Sequence, residues 1–206
     1  MKEKNKFKKE FLFIIIGILL VLFGIYLSVF KEEPHFYTFF SIGILILLIM
    51  IYNFISKKKI FEKWITKRYL FFFGVLLVFC IVIDKIGIYL GYWTYQFSTL
   101  FDEILKYLFE WAVPLICFMI ALMIGLKVFE KKIPYNLAFI LSLIFFVMPL
   151  GLFTEFINHF SNSWIILSMP FSNIKIGSFF VIFQTIGYSL MAIISFIIYR
   201  ISEKIK

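Results

Sequence analysis

The sequence predicts an all-α fold: a polytopic membrane bundle of six transmembrane helices, the last four forming a parallel two-helix repeat. Three observations carry this expectation. The composition is too apolar for a soluble domain, charge-free runs recur at membrane-spanning length, and one acid-to-tryptophan block at the end of a helix has a counterpart 71 residues on.

Of the 206 residues, 63% are hydrophobic, and the mean hydropathy is +0.99. A soluble domain of this size cannot hide that much apolar surface. The 30 phenylalanines follow a general Phe/Ile/Lys bias, so no single one is read as functional. The net charge of +9 would suggest nucleic acid in a soluble protein. Here it follows from lysine-rich loops, and no nucleic-acid partner is expected. Cys80 and Cys117 sit inside apolar runs without a CxxC or a nearby His pair, so neither disulfide nor metal site is expected.

Phe11–Phe30 and Phe36–Ile55 each run 20 residues without a charge. At 1.5 Å per residue, about 20 residues cross a hydrocarbon core of about 30 Å. The first run is too long for a signal-peptide core and lacks a small-residue cleavage site, so it is expected to be retained. Tyr69–Ile83 has 15 residues and spans only if its helix continues past Asp84 towards Tyr92. Tyr107–Leu126 spans if Glu110 is tolerated in its first turns. Tyr135–Phe153 has 19 residues and Ile176–Ile198 has 23.

Basic residues set the orientation. Seventeen of the 21 Lys and Arg lie before the first run, between the second and third, after the fourth, or after the sixth. Only Lys31, Lys85, Lys106 and Lys175 fall on the other side. The positive-inside rule predicts a multi-pass protein of the cell membrane with both termini cytoplasmic. The chain divides into a helix pair with its basic loop (1–68) and two repeats (69–134 and 135–206), within one membrane domain.

The repeat rests on "DKIGIYLGYW" and "EFINHFSNSW". Asp84 precedes Trp93 by nine positions and Glu155 precedes Trp164 by nine. Each block ends an odd-numbered helix and leads through an irregular outer loop into an even-numbered one. An offset of two helices preserves orientation, which makes the repeat parallel. On a continuing helix Asp84, Gly87 and Gly91 share a face, and the two glycines would let a neighbour approach beside the acid. Glu155, Asn158, His159 and Asn162 form a polar stripe by the same spacing. Two readings of the acids stay open. They mark helix ends among headgroups, with Trp93, Tyr95 and Trp164 as interfacial aromatics, or they handle protons inside the membrane.

These residues resemble the small membrane lycopene cyclases of the heterodimeric and fungal bifunctional type. In that family an Asp at a helix end precedes a Trp by nine positions, and a Pro-x-Glu-Glu element opens the next helix. Here Asp84, Trp93 and Tyr95 match, and Glu110 stands 17 positions after Trp93, where the first Glu of that element would lie. The family's Pro and second Glu are Leu108 and Trp111 in this chain, and the second block lacks W-x-Y. The resemblance covers roughly residues 69–130, with a weaker echo in 135–199. Asp84, Gly91, Trp93-Thr94-Tyr95 and Val113-Pro114-Leu115 are also similar to the carotenoid hydratases.

The resemblance implies proton-initiated cyclisation or hydration of a carotenoid or other isoprenoid in the bilayer. Asp84, Glu110 and Glu155 are then the catalytic acids, with Asp84 and Glu110 dividing the donor and acceptor roles. Trp93, Tyr95 and Trp164 surround the cation, each aromatic face contributing about 0.5–2 kcal/mol. Asn158, His159, Gln184, Gly87 and Gly91 complete the substrate surface. Neither metal nor cofactor is implied. Two other readings fit the same residues: a non-catalytic lipid-binding protein or one assembling as a homo- or hetero-oligomer, and a small carrier with a proton-relaying acid cluster.

Overall fold

The computed structural model describes residues 2–61, 66–95, 99–167 and 181–205, with side chains from residue 10 onward except at 166 and 181–185. Its helices are α1 (Lys2–Lys31), α2 (Phe36–Ser56), α3 (Lys67–Tyr89), α4 (Leu100–Phe129), α5 (Tyr135–Ser161) and α6 (Val181–Ser202). Among the described residues five helices are long and apolar enough to cross a membrane, α1 to α5, and Ile186–Ser202 of α6 forms a shorter apolar helix. By length and composition this is a helical membrane protein.

The helix at the centre is α4. Its apolar window is 72% buried, whereas those of α1, α2, α3 and α5 are 17–28% buried. Leu115, Met119, Ile120 and Leu122 of α4 are fully covered by the surrounding helices. The outer helices leave Phe13, Leu22, Leu70, Val78 and Phe145 facing outwards. Such faces, useless to a soluble protein, are what a bilayer solvates.

Three helices run further than their charge-free stretches. Helix α3 continues past Asp84 and ends in a glycine cap. Leu90 closes it, Gly91 turns left-handed at φ +69°, and Gly91 N and Tyr92 N donate to Ile88 O and Gly87 O. This pattern satisfies carbonyls that would otherwise be orphaned, and at that φ an L side chain is strained. Gly91 is therefore a turn residue, not the packing position expected from its helical spacing. Helix α4 starts at Leu100, where Thr99 and Asp102 cap each other reciprocally, so Glu110 lies well inside the helix instead of in its first turns. Helix α5 runs through Glu155 and Asn158 to Ser161, and Asn162 caps it in the left-handed conformation.

Both α4 and α5 contain a π-helical stretch, Lys106–Ala112 and Leu143–Val147. Each directly precedes a proline-bearing α segment: Val113 N donates to Leu108 O just before Pro114, and Met148 N donates to Leu143 O just before Pro149. A proline cannot donate to the carbonyl four residues back and its ring collides with it. The wider turn relieves that collision, a recognised route to a bulge inside a helix.

The expectation of an all-α chain needs one amendment. Trp93–Tyr95 (β1) and Trp164–Ile166 (β2) pair antiparallel, with Trp93 opposite Ile166, Thr94 opposite Ile165 and Tyr95 opposite Trp164. These aromatic and β-branched residues suit a strand. Their partners are 69 to 73 positions away in sequence, so only the folded bundle brings them together. The pairing is centred on Thr94 and Ile165, which occupy equivalent places in the two acid-to-tryptophan blocks.

Candidate functional site

Asp84 is completely buried and points into the bundle. Oδ1 accepts from Trp93 Nε1 at 3.0 Å and Tyr95 Oη at 2.7 Å. Oδ2 accepts from Lys106 Nζ and Tyr107 Oη, both at 2.9 Å. A carboxylate has about four acceptor sites, and four donors occupy them here. Trp111 Nε1 extends the network by donating to Tyr95 Oη at 2.7 Å. Burial, and then the Asp84 carboxylate, hold the Tyr95 phenol well above its ordinary ionisation range, so it stays a donor.

Lys106 is the cation of this network. It is buried at the start of the π-helical stretch, and its ammonium lies 4.2 Å from the Tyr95 ring centroid and 4.6 Å from that of Tyr107. A buried ammonium is tolerable only when paired, and aromatic faces add to the pairing. Its sequence signal was the i−4 position relative to Glu110, a spacing that puts a cation on the acid's own helix face. Tyr107 and Tyr188 carried no signal at all in a chain with 11 tyrosines.

The second block repeats part of this arrangement. Trp164 Nε1 donates to Glu155 Oε1 at 3.3 Å, and Tyr188 of α6 also donates to Oε1.

Between the blocks lies a cavity of about 280 Å³. Its wall includes Glu110, Glu155, Tyr37, Tyr188, Trp93, Tyr95, Trp111 and Trp164, with apolar side chains of α3, α4 and α6. Glu110 is half-buried, and its Oε2 accepts no hydrogen bond among the described residues. Tyr37 stands edge-on to Trp164 at 4.8 Å and Phe118 stands against Tyr188 at 4.9 Å, so further aromatic rings back the two donors to Glu155.

The expected site residues therefore separate. Glu110, Glu155, Trp93, Tyr95 and Trp164 share the cavity wall, and Asp84 sits behind Trp93 and Tyr95, outside it. Asn158 is buried beneath the second strand, its Nδ2 donating to Trp164 O at 3.1 Å, and does not line the cavity. His159, one position on, faces outwards beside Phe160. The polar stripe is thus split by the helix surface into an inward and an outward part. Gly87 is small because the Trp93 indole lies across it. The side chain of Gln184 lies outside the described residues. Neither a helix nor a substrate chain has to be invoked for either glycine.

Among the described residues no group of three or more His, Cys, Asp or Glu is placed to hold a metal ion. Comparison with protein-family models, with curated proteins and with solved structures finds no match.

Proposed function

We propose that this protein protonates and deprotonates an isoprenoid chain within the bilayer, as a cyclase or a hydratase, with Glu110 and Glu155 as the acid and base. The observation that carries the reading is the cavity itself: two carboxyl groups on a wall otherwise built of aromatic and apolar side chains. One carboxyl group gives its proton to a terminal C=C, leaving a tertiary carbocation. A second double bond attacks that carbon, closes the ring and moves the charge. The other carboxylate removes a proton from the neighbouring carbon and restores a C=C. Substrate and product then have the same formula, and no oxidant or reductant is needed. In the hydratase variant, water captures the first cation instead. Trp93, Trp111 and Trp164 supply ring faces that stabilise a cation without trapping it.

This assignment differs from the one the lycopene-cyclase resemblance implies, because Asp84 has no acceptor site to spare. Its role here is to hold Trp93 and Tyr95 against the cavity. The test is pigment and lipid chromatography from a lycopene-accumulating host expressing the full chain. Glu110→Gln and Glu155→Gln are each expected to lower conversion by at least about 10²-fold, the usual weight of a general acid or base. Unchanged conversion in either variant would remove that residue from the chemistry. No new product with the native chain, from lycopene or from shorter polyenes, would defeat the reading.

The repeat and the orientation belong to the same proposal. With α1 to α6 taken as six spans, the positive-inside rule favours a cytoplasmic side for the loops bearing 17 of 21 basic residues and the outer face for both strands. A parallel duplication of α3–α4 and α5–α6 is supported by the strand register and by the shared tryptophan-to-acid bond. Single cysteines at the exposed positions Thr94 and Asn162 are expected to react with an impermeant maleimide from outside intact cells, and one at Lys58 only after lysis. The opposite pattern would invert the topology.

A further inference from the structure

We infer that the cavity is entered sideways from the bilayer, through the seam between α3 and α6, by one end of a linear isoprenoid whose remainder stays in lipid. The ligand's identity rests on the function proposed above; the route rests on geometry alone.

The cavity wall takes Phe79 and Ile83 from α3, spaced i and i+4, and Gly187, Leu190, Met191 and Ile194 from α6, spaced i, i+3, i+4 and i+7. Each set is one stripe of one helix, so the two helices face each other across the opening. Leu190 belongs to this wall and is also 52% exposed, so the cavity reaches the outer surface of the bundle there. Ile186, one turn before Leu190 on α6, and Ile86, beyond Ile83 on α3, are exposed as well. A rim of Leu and Ile suits acyl chains and repels water.

The same seam is locked at its other end. Arg68 Nη2 lies 3.2 Å from Glu203 Oε1, and the Arg68 guanidinium sits 5.0 Å and 4.9 Å from the rings of Tyr69 and Tyr199. Phe72 packs edge-on to Tyr199 at 5.7 Å. Parting of the helices is thereby confined to the end that holds the carboxyl groups. Those groups are carried by α4 and α5, not by the two helices of the seam, so an entering chain end meets them at the far wall.

Size points to an end and not a whole chain. Sites that bury an entire drug-sized ligand occupy about 300–1,000 Å³. A cavity of about 280 Å³ is below that range and suits a few isoprene units. The rest of a long polyene would need a continuous apolar exit, which the Leu190 mouth provides.

The test uses the full chain in phosphatidylcholine vesicles and geranylgeraniol carrying a diazirine at its terminal isoprene unit. After photolysis, adducts are mapped by mass spectrometry. Adducts should concentrate on Ile83, Leu190, Met191 and Ile194 and on the wall beyond, and excess untagged geranylgeraniol should reduce them roughly tenfold. Leu190→Trp should block the mouth and reduce adducts on the wall by a similar factor, with Ile194→Phe as a milder second block. Phe13→Ala, on the outward face of α1 and away from the cavity wall, should leave the labelling unchanged. Labelling at the seam without any conversion would defeat the catalytic reading and leave the route standing. Adducts spread over α1 and α2 without competition, or wall adducts unaffected by both blocking variants, would overturn the route even if conversion occurs.

Discussion

Replacing Lys106 with methionine is expected to destabilise the protein by about 3–5 kcal/mol, because it leaves a buried carboxylate without its cation. The size follows from the burial of both partners: the side chains of Lys106 and Asp84 are 4% and 0% exposed, 2.9 Å apart. An exposed pair such as Lys85–Glu103, at 3.1 Å, should by contrast be worth about 0–1 kcal/mol. Asp84→Asn combined with Lys106→Met should restore part of the loss, since the charge left behind by the single change is then gone. Denaturation in detergent, run as a double-mutant cycle, should give a coupling of about 0.5–3 kcal/mol or more. Independent, additive effects would mean that the ion pair is not formed in the membrane.

The second large effect is expected at Gly87. A Cβ there would come within 2.0 Å of Trp93 Cζ2, a distance no real contact tolerates. Trp93 cannot slide freely, because Trp111 lies 5.8 Å away on one side and its own Nε1 is tied to Asp84. Gly87→Ala should therefore cost about 1–3 kcal/mol in overpacking and about 1.5–3 kcal/mol more if the bond to the carboxylate breaks. Gly91→Ala gives the reference. Nothing lies within 4 Å of a Cβ at that position, so its cost is confined to the φ of +69°, about 1–2 kcal/mol. Near-equal losses at the two glycines would contradict the placement of the indole. A shift in tryptophan fluorescence is expected for Gly87→Ala alone.

Both predictions concern Asp84, and the sequence reading of that residue was half complete. Its place inside a helix followed from an argument about length: the third run spans only if the helix passes through the acid, and α3 does so. Its spacing to Trp93 also became a hydrogen bond, and the same interval joined Glu155 to Trp164. Nine residues can close on themselves around one helix cap, so local sequence carries that contact. Lys106 and Tyr107 lie 22 and 23 positions from Asp84 on the next helix, and their approach depends on where α4 begins and on its π-helical turn. The strand pairing is further still from local control, since α4 and α5 separate Thr94 from Ile165 in the chain.

What the sequence alone determined is therefore what a membrane reads locally: apolar length, the count of basic residues in each loop, and the interval between an acid and the tryptophan beyond its helix. Each is a property of one segment in its solvent. What only the tertiary structure decided is which acid faces the cavity. Asp84 and Glu155 look equivalent along the chain, but Lys106 and three further donors close around the first, and the cavity reaches the second. That difference comes from side chains contributed by other helices. In a chain so uniformly apolar, helix periodicity gives little hint of which face turns inwards, because lipid and protein interior reward the same residues.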